Sequence, residues 1–106
     1  MGKNIRYNEG GREFEWDESK NEKNKQKHSV SFEYSTKAFD DPKGLDIYSE
    51  GSLEKQGEKR RLLIGLVLDA FISVVYTLRE SVIRIISDRS SSRKERQLYQ
   101  DQIKNN

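Results

Sequence analysis

Val82–Tyr99 reads VIRIISDRSSSRKERQLY. It begins as an apolar strand, passes through an Asp-Arg-Ser-Ser-Ser turn and ends in a basic helix, so one passage carries both kinds of regular structure. Arginines at 84, 89, 93 and 96 run from the strand, across the turn, into the helix. Guanidinium forks match phosphate geometry and stay charged at any working pH. A core element has no use for so many of them, and the pattern points to an anionic, phosphate-bearing partner.

The residues upstream extend the strand pattern. Arg60–Leu68 sets Leu62, Ile64, Leu66 and Leu68 on one face and Leu63 and Val67 on the other. Asp69 and Ala70 leave room only for a tight turn before Phe71–Thr77, and Leu78-Arg79-Glu80-Ser81 then leads to Val82–Ser87. Connections this short force antiparallel neighbours. Downstream, Ser90–Ser92 offers an N-cap and Arg93–Ile103 forms the last helix, with Leu98 and Ile103 turned inward.

Nearer the N-terminus, Glu13-Phe14-Glu15-Trp16 alternates as a half-buried strand does, and Asp17 caps a helix over Glu18–Lys27. That helix is almost devoid of apolar residues, which leaves Trp16 and His28 as its anchors. Ser31 caps a second helix, in which Phe32 and Phe39 share a face; Asp40-Asp41-Pro42 ends it. A short strand follows at Leu45–Tyr48, then a polar loop over Ser49–Gly57. Residues 1–12 show no period and contain two adjacent glycines, so they read as a flexible extension ahead of a single domain over 13–103. The fold class is α+β: an antiparallel sheet of three to four strands, with two N-terminal helices and one C-terminal helix packed on one face of it.

Composition narrows the class. At 106 residues, with 32% hydrophobic and 36% charged residues, there is room for one modest core. There is no cysteine, hence no disulfide framework or thiolate metal site, and a reducing cytoplasm fits. No apolar run approaches the roughly 18 residues of a membrane helix, and Met1–Gly10 lacks the apolar region of a signal peptide. The net charge is only +2, but basic ends flank an acidic stretch over 40–58, a polarity suited to steering an anion to one face. No Gly-rich phosphate loop, histidine-based triad or metal-ligand cluster is visible; Asp40-Asp41 reads as a helix stop, and neither cofactor nor metal is expected.

The order of these signals resembles the BrnT-type toxins of bacterial BrnT/BrnA toxin–antitoxin modules. FEWD (14–17), a Lys/Asn-rich helix ending in His28, VSFE (30–33), AFDDP (38–42), the Gly-Glu-x-Arg entry to a strand (57–60), VVYT (74–77), IRIIS (83–87) and R-K-E-R-x-x-Y (93–99) carry the resemblance, which covers about residues 13–100. It implies a RelE-like fold, a ribonuclease that halts translation, and a cognate BrnA-like, DNA-binding antitoxin in a 2:2 heterotetramer that meets operator DNA through the antitoxin. The family pattern has a small residue where this chain has Asp88, and a basic residue and an alanine at Ser90-Ser91. The Asp88 carboxylate is therefore expected to lower the positive potential beside Arg89.

Metal-free RNA cleavage needs the 2′-hydroxyl deprotonated, the leaving 5′-oxygen protonated and the charge on the scissile phosphate stabilised. Strand alternation puts Arg84 on a face with Ile86 and Asp88, opposite Ile83 and Ile85, so Arg84 points to the open face if the isoleucines are core. Arg84 is the first candidate for phosphate clamping and Arg89 the second; each also fits a salt-bridged surface residue. Glu95 and Tyr99, four apart on the last helix, suit a base and a ring that stacks on RNA, or a plain surface pair. His28 is the one histidine and the candidate for proton transfer near neutral pH, with a helix-end packing role as its competitor. Arg60, Tyr76, Arg93 and Arg96 are candidates for RNA contact; Tyr76 also fits a core position and Arg96 a cation–π contact with Tyr99. Two readings result: a metal-independent endoribonuclease toxin, and a binding module that works through its antitoxin and DNA.

Overall fold

The computed structural model describes residues 2–48 and 59–105. The loop expected over Ser49–Gly57 lies entirely outside them. Among the described residues six strands form one mixed sheet in the order β1-β2-β6-β5-β4-β3: β1 Asn4–Glu9, β2 Arg12–Asp17, β3 Leu45–Tyr48, β4 Arg61–Val67, β5 Ala70–Arg79 and β6 Val82–Ser90. All neighbours are antiparallel except β2 and β6, which run parallel with Phe14 beside Ile83 and Glu15 beside Arg84. The expected sheet of three to four antiparallel strands is thus extended on both sides and made mixed. Pairing of β4, β5 and β6 follows the short turns, as the sequence predicts.

The stretch read as an extension contains β1. Gly10 and Gly11, at φ 61 and 79, form a two-residue hairpin turn that requires positive φ at both positions. Ile5 and Tyr7 turn inward opposite Trp16 and Phe14, and the Tyr7 and Trp16 rings lie 5.4 Å apart. A polar edge strand with only two apolar side chains gives little periodicity to read.

Helix α1 spans Glu18–His28, capped by Asp17 as expected. Its anchors are two amides rather than His28: buried Asn21 donates to Glu18 and Glu33 and accepts from the Phe32 N–H, and Asn24 reaches β6. The second helix is broken into α2, Phe32–Ser35, and a 3₁₀ turn, Thr36–Asp40. Phe32 and Phe39 still both meet the core. That turn crosses β4 so closely that a Cβ on Gly65 would lie 2.7 Å from the Ala38 carbonyl oxygen. Here only glycine fits.

The main core lies under α1, α2 and the 3₁₀ turn. Phe14, Trp16, Leu63, Ile72, Val74 and Ile85 supply it from the sheet, and Phe32, Val30 and Ala38 from the segments above. Helix α3, Arg93–Lys104, packs on the opposite face of the sheet. There Ser73, the neighbour of inward-facing Val74, bonds Glu95, and the Phe71 and Tyr99 rings meet edge-on at 5.2 Å. Helices therefore occupy both faces, not one. Leu98 and Ile103, expected inward, are exposed, and Tyr99 takes the buried position.

Candidate active site

Among the described residues the face carrying α3 is covered at one end and open at the other, and Arg6, Arg79, Arg84 and Arg89 lie on it, whereas Arg12 and Arg61 lie on the core face. A β-bulge decides this. Val75 pairs with Ser87 but Tyr76 pairs with Ile85, leaving Ile86 as an extra residue. Simple alternation would place Arg84 and Arg89 on opposite faces. With the bulge, Arg84, Ser87 and Arg89 share the open face, while Ile85 and Asp88 point to the core. Arg84 does not share a face with Asp88.

Asp88 is accordingly far from the expected role of dampening Arg89. Its side chain is 1% exposed, between β6 and the first two helices, where its carboxylate accepts from the Asn24 amide. Asn24 also donates to the Asp88 carbonyl at 2.7 Å. Burial, opposed by hydrogen bonds from Ser35 and Asn24 and aided by nearby Glu33, pushes the carboxyl up to about 7.

Arg84 sits in a row across four strands. Arg6 on β1 pairs with Glu15 on β2, Glu15 with Arg84 on β6, and Arg84 with Thr77 on β5. The Arg84 guanidinium donates to Glu15 at 3.1 Å and to the Asn4 side chain at 2.9 Å. Glu15 also meets Arg6 at 3.3 Å and Arg79 at 3.9 Å. Half-buried Arg60 directly precedes β4, and Thr77 donates to the carbonyl of adjacent Lys59, so Arg60 falls at the end of this row.

Arg89 forms a second centre. It forks onto Glu95 at 2.6 and 2.8 Å, which holds the guanidinium charged and draws the Glu95 carboxyl down to about 2. Glu95 accepts as well from Ser73 and from the Ser92 N–H, closing a capping box at the start of α3. A carboxylate so fully occupied and so weakly basic is poorly suited to take a proton. Its visible task is to fix Arg89. Because Arg84 is drawn toward β2 and Arg89 toward α3, from positions roughly 15 Å apart along β6, they do not converge on one phosphate.

Other candidates lie elsewhere. Tyr99 is buried, its hydroxyl donating to Asp41 at 2.6 Å; burial and that bond push it up to about 12. Tyr76 is on the core face, its hydroxyl donating to Asp46 at 2.6 Å and its ring edge-on to Phe39. Neither ring is placed to stack on RNA. His28 ends α1, across the sheet from Arg84 and Arg89. Arg93 and Arg96 are exposed on α3. The sequence reading missed Arg6, Glu15 and Arg79; the Glu13–Trp16 alternation was a signal that Glu15 faces away from the core, but its strand neighbours are long-range. Among the described residues no cluster of three or more His, Asp or Glu side chains is arranged to hold a metal ion, and no described helix is long and apolar enough to cross a membrane.

Among curated proteins no relative matches the chain. A family model does: "Ribonuclease toxin, BrnT, of type II toxin-antitoxin system" matches residues 16–95, from the last residues of β2 to the first turn of α3. The match spans most of the fold, including β6, its bulge and the Arg89–Glu95 pair, and the chain belongs to the BrnT family of ribonuclease toxins of type II toxin–antitoxin systems.

Proposed function

We propose that this toxin is a metal-independent endoribonuclease of the cytoplasm, which inhibits translation by cleaving RNA laid across the open sheet face. The observation that carries the reading is the bulge at Ile86, which brings Arg84 and Arg89 to one face, each guanidinium held by a carboxylate. Fixed guanidinium groups stabilise charge developing on a phosphate without reorganising during the reaction. Arg84, the more enclosed of the two, takes the scissile phosphate, and Arg89, with Arg93 and Arg96 beyond it, holds the backbone on one side. The cognate antitoxin neutralises the toxin in a 2:2 complex, and operator DNA is met through the antitoxin.

Expression without the antitoxin is expected to arrest growth. The purified protein is expected to cleave RNA in the presence of a metal chelator, and Arg84→Ala to lose on the order of 100-fold in rate. Intact RNA in that assay, together with undiminished toxicity of Arg84→Ala, would refute the reading.

One observation favours a second reading, a catalytically weak module acting through its antitoxin in DNA-bound autoregulation. Glu95, Tyr99 and His28, the side chains suited to proton transfer, are respectively consumed by a cap, buried, and on the far face. Operator binding by the toxin–antitoxin complex without RNA cleavage by the free toxin would establish it.

A further inference from the structure

We infer that Arg6, Arg79 and Arg84, seated on the carboxylate of Glu15, form a cradle for a phosphodiester of single-stranded RNA, with Glu15 as its positioning residue. None of this is assigned by the family match, which begins after Glu15 and excludes β1. The inference takes its ligand from the ribonuclease reading above.

The geometry is layered. The Glu15 side chain is 8% exposed, at the floor; Arg84 is 19% exposed above it, and Arg79 and Arg6, at 53% and 62%, form the rim. Both carboxylate oxygens are engaged, Oε1 by Arg6 and Oε2 by Arg84 and Arg79. Glu15 therefore has no oxygen directed at a substrate. What it does is hold three like charges together, which would otherwise repel one another and spread into solvent. Among the described residues three guanidinium groups gather on this one buried carboxylate, and exposed Glu13, 3.4 Å from Arg6, adds a second carboxylate at the rim.

A phosphodiester matches this arrangement. Its two non-bridging oxygens can take the rim guanidinium groups while Arg84 keeps its bond to the floor. The cradle also gives the N-terminal hairpin a use: β1 supplies Arg6, and through Asn4 a second bond to Arg84.

The test uses the full chain and an all-2′-O-methyl RNA oligonucleotide, which binds but cannot be cleaved, with affinity measured over a salt series. Arg6→Ala and Arg79→Ala are each expected to reduce the slope of log affinity against log salt by about 0.7, the value for one phosphate contact on a single strand. Glu15→Gln removes a negative charge, so charge counting alone predicts tighter binding; loss of positioning predicts weaker binding, by several-fold. Unchanged slopes in both arginine variants, or tighter binding by Glu15→Gln, would overturn the inference. Should Glu15→Gln fail to fold, the two exposed arginines decide the matter. Cleavage of ordinary RNA separates the two readings. Altered slopes with no cleavage by wild type support the cradle against the ribonuclease; normal cleavage with unaltered slopes does the reverse.

Discussion

Asp88 shows how one side chain can change its meaning with the face it occupies. Next to Arg89 in the sequence it reads as a counter-charge; in the fold it is a buried carboxyl held by Asn24 from α1, with Ser35 from α2 and Glu33 nearby. One of its oxygens is buried without a hydrogen bond. The unfolded chain ionises this group near 3.8 and the folded chain near 7. Between those values the folded state keeps a proton that the unfolded state has released. The linked stability is therefore present at low pH, declines as pH rises from about 4 to 7, and is gone above. Asp88→Asn is expected to abolish this slope and to be more stable than wild type at pH 8 by roughly 2 kcal/mol, with little difference at pH 4. Thermal unfolding across that range checks it; equal pH slopes in the two proteins would refute it. Nothing in the sequence marked this residue as buried, because its face depends on a bulge. Tyr76 and Tyr99 were hidden for a related reason: an aromatic with a hydroxyl reads equally as a surface stacker or a core ring, and the acceptors that bury them, Asp46 and Asp41, come from distant segments.

At the scale of elements, legibility follows how local the determining interactions are. Strands β4 to β6 and helix α3 were readable because alternation, short turns and a serine cap are all local. The break after Ser35, the parallel pairing of β2 with β6 and the extra residue in β6 were not, since each is set by packing between distant segments. The start of α3 makes the point testable. Ser92 and Glu95 cap each other, but Glu95 also receives Arg89 and Ser73. Ser92→Ala removes one capping bond and is expected to cost about 1 kcal/mol. Glu95→Ala removes the same box, leaves a half-buried guanidinium without its carboxylate and strips a partner from a buried serine. It is expected to cost roughly 2–4 kcal/mol. Denaturant unfolding of the two variants gives both values. Equal costs would mean that Glu95 acts as a cap and nothing more.

For the molecule as a whole, the sheet has one face closed by α1, α2 and the 3₁₀ turn and another that α3 only partly covers, and β1 contributes to both. Inward, Ile5 and Tyr7 cover Trp16 and Phe14; outward, Asn4 and Arg6 complete the arginine row. Stability and ligand binding should therefore separate on dissection of this strand. Deleting residues 2–9 uncovers two core aromatics and converts β2 into an edge, losing about 2–4 kcal/mol of apolar burial. For a domain of this size that corresponds to a fall in melting temperature of roughly 10–20 °C. Arg6→Ala touches only the outer face, where the Arg6 side chain is 62% exposed and buried Glu15 keeps Arg84 as its partner, so its melting temperature should stay within a few degrees of wild type. RNA affinity is expected to fall in both proteins. Ile5→Ala is the converse: melting temperature drops while affinity, measured well below the transition, is retained. A deletion that leaves the melting temperature unchanged would show β1 to be dispensable for the core. Arg6→Ala and Ile5→Ala weakening affinity equally would show that the strand acts on RNA only by holding the fold together.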